Sequence, residues 1–433
     1  MSAAVVAIGT ELTRGELVNG NARWLSERLT ELGFTVTSHV TVADDAERIR
    51  GTLLHLGQGS TETKVIVCTG GLGPTSDDLT TQAVADALGV VLVRDEDSLS
   101  KLEARFRARN RVMSPSNAKQ ADFPQGAQIL SNSVGTAPGF AVTIGNARAF
   151  FMPGVPREMQ AIFNEEVAKQ IAPLAERNSY QVHIRTFGLF ESVVAQRLSD
   201  LDLGGALHDE RVTIGYRVTF PEVEVKVLAE SKPGEGGEGA TSARALAEQV
   251  ASQVRERLGE YAFGGKEETY PRYVAGLLKR AGIKVALAES CTGGLVAKLL
   301  TDLAGSSDYV IGGAVSYANT AKTVLLGVSE GLLREHGAVS EPVAGAMAEG
   351  ILKSLGADLA VGITGIAGPT GGTPAKPVGT VCFGLARKNG ATLTSTELFP
   401  GEREGVRTLA AYHALRLFAT ATKEILDGPK SGR

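Results

Sequence analysis

Ser290 stands where a buried apolar run, "IKVALA", gives way to Glu289-Ser290-Cys291, then to Gly293-Gly294 and a helix-like "LVAKLLTDLA". A hydroxyl at the end of a strand, beside glycines that open a helix, is placed to attack an electrophile if a base takes its proton. The usual helpers are missing at Ser290: it sits in no G-x-S-x-G elbow and no S-x-x-K, and has no nearby histidine. Only His336 and His413 lie in this region. His413 falls on the apolar stripe Val406, Leu409, Ala410, Ala414, Leu417, which predicts a packed ring. His336 precedes Gly337 at an expected helix end. Tyr317 and Lys322 remain, in "VSYANTAK" after an apolar run that ends at Ser316. If both strands end at one sheet edge, their loops meet. A desolvated lysine can then accept the serine proton, directly or through the tyrosine. Cys291 is a rival nucleophile at the same helix start, or a small buried hydrophobe.

Such a reaction needs donors for an oxyanion and for substrate anions. Candidates are the backbone at Thr292, Gly293 and Gly294 and the second glycine loop, "TGIAGPTGGTPAKPVGT", with Thr364, Gly365 and Gly368. Arg403 and Arg407 share one face at the start of the last expected helix, the end at which cations are disfavoured. They serve an anionic ligand there, or pair with Glu402 and Glu404.

A second constellation lies near the N-terminus. "TGGLGPTSDD" follows the apolar run 64–68 and precedes a helical pattern. Thr69, Gly70, Gly71, Gly73, Thr75 and Ser76 form a loop suited to phosphate. Asp77 or Asp78 could hold a divalent cation against that phosphate, or simply cap the helix. "GTELTRGE" follows the first strand, and ligands of open α/β sheets bind outside the strands' carboxyl ends. Glu11, Asn21, Gly135 and Thr136 are assigned to this cleft, and Asn117, Lys119 and Gln120 form a polar cluster that pattern alone does not place.

The elements that must carry these residues are those of an α/β protein. Apolar strands alternate with amphipathic helices up to about residue 172 and again from 261. In the second stretch the strands are expected at 283–288, 310–316, 358–363, 378–386 and 391–399, and helices at 293–303, 342–355 and 404–425. Between the two stretches, "RVTIGYRVTF" and "EVEVKVLAE" alternate in and out about Phe220-Pro221, as a hairpin does. The reading is two α/β domains with mostly parallel sheets, 1–172 and 261–433, joined by a small α+β module, 173–260. A net charge of −4 without a basic stripe argues against direct nucleic-acid binding. Three unpaired cysteines fit a reducing cytoplasm. No apolar run approaches the ~20 residues of a membrane span. A homodimer is expected.

The strings "AESCTGGLVAKLLTDLAGSSDYVIGGAVSYANTAK", "HGAVSEPVAGAMAEG", "TGIAGPTGGTPAKPVGTV" and "GEREGVR" resemble the nicotinamide-nucleotide amidohydrolase domain of the CinA family. "GTELTRGE", "TGGLGPTSDD", "GTAPGF" and "MPGVPREM" are similar to the molybdopterin-binding fold as it occurs in that family, and the middle module to its KH-like domain. The resemblance implies deamidation of nicotinamide mononucleotide by Ser290, Tyr317 and Lys322 without a cofactor. For the first domain it implies cleavage of ADP-ribose to AMP and ribose 5-phosphate with a divalent metal (Mg, Mn or Co) and potassium as an accompanying ion. The G-x-x-G within "GEGGEG" is acidic, the wrong charge for clamping RNA. Rival readings are a pterin- or nucleotide-binding or adenylyl-transferring protein, and a non-catalytic factor linked to competence.

Overall fold

The computed structural model describes residues 1–58, 63–175, 179–199, 201, 211–231 and 239–428. Its contacts group into two compact units. One comprises Met1–Gln181, Gly205–Thr213 and Leu228–Gln249, and the other Val182–Gly204, Ile214–Val227 and Val250–Arg433.

In the first unit, β1 (Ser2–Ile8), α1 (Thr10–Thr13), α2 (Gly20–Glu31), β2 (Thr35–Val42), α3 (Ala46–Gln58), β3 (Thr63–Thr69) and α4 (Thr80–Leu88) alternate as the pattern requires. After β4 (Leu92–Arg94), α5 (Glu96–Ala108) and β5 (Asp122–Pro124) come three strands, β6 (Gln128–Leu130), β7 (Gly139–Ile144) and β8 (Ala147–Met152). Helices α6 (Pro156–Ile162) and α7 (Ala168–Ile171) follow. The sheet order is β2-β1-β3-β8-β7-β6, parallel from β2 to β8 and antiparallel from β8 to β6. The antiparallel edge was not expected. Its turn at Gly145 takes a φ of 58°, which lets β7 reverse directly into β8 instead of crossing over through a helix. Alternate residues of β1 face opposite layers. Ala4, Val6 and Ile8 pack with Ile49 and Leu53 of α3, while Ala3 and Val5 pack with Leu25 and Leu29 of α2.

A four-stranded sheet, β10-β11-β9-β12, is built from β9 (Ser179–Phe187), β10 (Val212–Thr219), β11 (Glu222–Glu230) and β12 (Ala262–Gly264). Its helices are α8 (Glu191–Leu198) and α9 (Gly239–Leu258). The acidic G-x-x-G segment lies outside the described residues, apart from Gly239, the first residue of α9.

In the second unit a five-stranded sheet has the order β14-β13-β15-β16-β17. Its strands are β13 (Val285–Glu289), β14 (Val310–Val315), β15 (Leu359–Gly365), β16 (Thr380–Arg387) and β17 (Leu393–Leu398). The first three are parallel and the last two antiparallel. On one face lie α10 (Tyr270–Ala281), α11 (Leu295–Thr301) and α15 (Arg403–Asp427), packed on Val285 and Leu287. On the other, α12 (Asn319–Leu326), α13 (Glu330–His336) and α14 (Glu341–Leu355) cover Ala286 and Ala288. α14 sits so close that a Cβ at Gly362 of β15 would meet the Ala344 carbonyl at 2.2 Å. Among the described residues no helix is long and apolar enough to cross a membrane.

Candidate active sites

β13, β14 and β15 run parallel, so the loops after them leave from one edge of the sheet. Ser290 is the first residue beyond β13, and its N–H donates to the Ile363 carbonyl of β15 at 2.9 Å. The loop after β14 leads into α12, whose Lys322 points back toward the edge. Lys322 Nζ lies 3.0 Å from Ser290 Oγ, 2.8 Å from the Ser316 carbonyl oxygen and 3.2 Å from that of Tyr317. The lysine is 1% exposed and the serine 7%. Burial holds the Lys322 pKa below its ordinary value. A neutral amine has two N–H groups and one lone pair. In that form the two carbonyls would take the hydrogens and the lone pair would be left for the serine hydroxyl, whereas the ammonium form donates to all three oxygens.

The other candidates divide. The Cys291 thiol is buried, and desolvation pushes its pKa up to about 12, so it is a small hydrophobe rather than a thiolate. The Tyr317 side chain is 60% exposed, and its hydroxyl accepts from Arg403 Nη2 at 3.0 Å. Lys322 is bonded to its carbonyl, and the direct Lys322–Ser290 contact needs no phenol relay. Arg403 also donates to the Gly368 carbonyl at 2.7 Å and lines the cavity. Arg407 does something else. Its Nε and Nη2 donate to the carbonyls of Cys291 and Thr292 at 3.2 and 2.8 Å, so its fork clamps the serine loop. The Gly293 N–H closes a turn on the Ser290 carbonyl, and the Gly294 N–H goes to Glu289, so neither is open to an oxyanion. Thr364 donates its hydroxyl to the Ala338 carbonyl, and Thr364, Gly365 and Gly368 line a cavity of about 360 Å³ with Ser290, Lys322 and Arg403.

In the first unit a cavity of about 410 Å³ opens at the carboxyl ends of β1 and β3. Gly70, Gly71, Gly73, Asp77, Asp78, Glu11 and Thr136 line it, joined by Asp44 and Glu158. A Cβ at Gly70 would stand 2.0 Å from the Ile8 carbonyl, so only glycine lets this loop cross the first strand. Thr69, Thr75, Ser76, Asn21 and Gly135 do not line the cavity, and four of them shape it. Thr69 and Asn21 bond each other and the carbonyls of Pro153 and Gly154. Thr75 gives its N–H to Asp78 at 2.8 Å and its hydroxyl to the same carboxylate. Gly135 leaves room for Glu158, whose carboxylate a Cβ there would overlap. Neither aspartate caps α4, whose N-cap is Leu79 without a side-chain bond. The Asp77 pKa is lowered, chiefly by the neighbouring Thr75 side chain and its own backbone N–H. Lys119 braces the same loop, donating to the carbonyls of Thr75 and Asp78 at 2.9 and 2.5 Å.

Three family models match along the chain: a "Probable molybdopterin binding domain" over 4–173, a "Damage-inducible protein CinA KH domain" over 181–264 and a "CinA C-terminal domain" over 267–422. A CinA-like protein of Anaeromyxobacter dehalogenans is 42% identical over 98% of this chain and 100% of its own length. Another, from Citrifermentans bemidjiense, is 41% identical over 96% of each. The chain belongs to the CinA family. Among solved structures, a competence/damage inducible protein from Agrobacterium tumefaciens aligns with 36% of this chain and 94% of its own, at 40% identity and a TM-score of 0.35.

One residue of the CinA-type serine loop escaped the reading of spacing. Glu289, 1% exposed, turns its carboxylate onto the start of α11 and accepts from the N–H groups of Gly294, Val296 and Ala297 at 2.9, 3.2 and 2.9 Å. The signal was an acid closing a fully apolar strand immediately before a helix start, a favourable place for a carboxylate. With Arg407 on the loop's carbonyls and Glu289 on its N–H groups, the backbone at 291–294 is held from both sides.

Proposed function

We propose that the second unit hydrolyses the carboxamide of nicotinamide mononucleotide to nicotinate mononucleotide and ammonia. The observation that carries this reading is the buried Lys322–Ser290 pair, with both remaining amine hydrogens committed to carbonyls. Ser290 Oγ attacks the amide carbon, made electrophilic by the cationic pyridinium, as its proton passes to Lys322 Nζ. The Cys291 and Thr292 N–H groups, which bond to no backbone carbonyl among the described residues, are the donors nearest in sequence to the developing oxyanion. Lys322 returns the proton to the departing nitrogen as the C–N bond breaks. Water, deprotonated by the same amine, then releases the acid from the acyl-enzyme. Arg403 uses two of its five N–H donors within the protein and lines the cavity, so it is our candidate for the 5′-phosphate. Incubation with nicotinamide mononucleotide and mass spectrometry of the product tests the reading. Failure of the native protein to form the acid and ammonia refutes it.

For the first unit we propose metal-dependent cleavage of ADP-ribose to AMP and ribose 5-phosphate. The residues fit a hard divalent cation such as Mg, Mn or Co. Asp77, Asp78, Glu11, Asp44 and Glu158, all hard oxygen donors, line one cavity. Among the described residues, however, no three His, Cys, Asp or Glu side chains converge to hold an ion unaided. The diphosphate oxygens would complete the shell, with Asp77 or Asp78 as protein ligand. When bound, the ion would supply charge neutralisation on the diphosphate. The chain's own part is the Gly70–Gly73 loop, whose backbone can approach phosphate closely. Both reactions suit a cytoplasmic enzyme whose three thiols are buried and unpaired. Offering ATP with molybdopterin beside ADP-ribose separates hydrolysis from adenylyl transfer.

A further inference from the structure

The second unit contains a larger cavity, about 990 Å³, that shares no lining residue with the one around Ser290. Phe187, Leu189, Phe190, Phe220, Phe399 and Leu409 form much of its wall. Phe190 and Phe220 are 67% and 57% exposed, an open aromatic rim. An apolar wall alone would say little. The deciding feature is His413, which lines the same cavity and is 5% exposed.

Arg416 Nη2 lies 3.2 Å from His413 Nδ1. A guanidinium only donates, so Nδ1 accepts and the ring proton sits on Nε2. Burial, reinforced by the Arg416 charge, pushes the His413 pKa down to about 3, so the imidazole is neutral. Nε2–H is therefore a buried donor, and it has no hydrogen-bond partner. Glu397 Oε1, also on the cavity, stands 3.8 Å away, too far for a hydrogen bond. Ligand sites typically combine apolar walls with a few polar groups left ready to bond. Glu191 and Glu397 outnumber Arg416 among the charged residues on the cavity, which disfavours an anionic head. A neutral carboxamide suits both groups, its carbonyl toward His413 and its N–H toward Glu397.

We propose that this cavity binds a neutral aromatic amide, its ring among the phenylalanines and its carbonyl oxygen on His413 Nε2. The site is independent of the amidase reading.

The test titrates the full chain with 2-naphthamide and with 2-methylnaphthalene, followed by naphthyl fluorescence. One saturable site is expected, with the amide bound about fivefold more tightly, the worth of one neutral hydrogen bond. His413→Phe should erase that preference while keeping hydrocarbon binding. Leu409→Trp, which fills the cavity, should remove both. Absence of saturation by either probe, an amide preference that survives His413→Phe, or native affinity in Leu409→Trp overturns the proposal. Should His413→Phe fail to fold, the native protein decides with labelled histidine. The His413 Nε2 resonance must shift with the amide and stay put with the hydrocarbon, and the reverse pattern rejects the site.

Discussion

A lysine buried as deeply as Lys322 holds its proton less tightly than one in water. The unfolded chain, with an ordinary lysine, binds that proton more strongly. The linked contribution to stability therefore rises as pH climbs from the folded pKa toward the ordinary value. The proposed deamidation would draw on the same shift, because only the neutral amine can accept the Ser290 proton. The deamidation rate should rise with pH through an apparent pKa below that of a free lysine and then level off. Lys322→Arg places a guanidinium there, a group that does not deprotonate. Its rate should fall at least about a thousandfold and gain nothing from alkaline pH. A Lys322→Arg enzyme that regains turnover at high pH would show that another base is at work. At this scale the sequence was legible as far as residue type allowed. Ser290, Tyr317 and Lys322 could be named because no histidine lies near the serine in sequence. The different tasks of Arg403 and Arg407 could not be told apart, because each depends on which carbonyls the fold brings within reach.

Elements place these groups by holding backbone, and the serine loop is the clearest case. Glu289 accepts from three N–H groups at the start of α11 that have no partner within the helix. Glu289→Gln keeps the shape but turns an amide donor toward N–H donors. It should lower kcat about tenfold with little change in KM, and reduce the melting temperature, since charge-assisted bonds of this kind are worth ~1.5–3 kcal/mol each. A large rise in KM with kcat intact would mean that Glu289 serves substrate binding instead. Helix α14 offers a second check. Gly362→Ala would drive a methyl into the Ala344 carbonyl, and overpacking of this sort costs roughly 1–3 kcal/mol. Denaturant unfolding should show that loss, and an unchanged midpoint would refute the close packing. Long apolar strands and the long helices α14 and α15 were readable from periodicity. The shorter α12 was not, and of α13 only its end at His336 was read, because seven or eight residues give barely two turns of pattern. The antiparallel β6-β7-β8 edge was missed as well, since β7 and β8 are apolar runs that read equally well as parallel strands.

At the scale of the whole chain, two cavities with different chemistry sit in separate compact units. One is lined by five acidic residues and a glycine loop, the other by a serine and a buried lysine. The glycine strings "TGGLGPT" and "TGIAGPT" each follow a buried strand, β3 and β15. That much was visible in the sequence, since a ligand loop at a strand's carboxyl end is a local pattern. The chemistry of each site rests on partners dozens of residues away, such as Lys119 against Thr75 or Lys322 against Ser290. If the two sites work independently, perturbations should separate cleanly. A chelator, or Asp78→Asn, should abolish release of AMP from ADP-ribose and leave ammonia release from nicotinamide mononucleotide within about twofold of native. Ser290→Ala should do the opposite, with deamidation down by about three orders of magnitude or more. Product mass spectrometry on the same four samples, each with both substrates, reads all of these outcomes together. Loss of deamidation under chelation would put a metal into the serine site. Loss of both activities in Asp78→Asn, with the fold intact, would show that the units depend on one another for turnover.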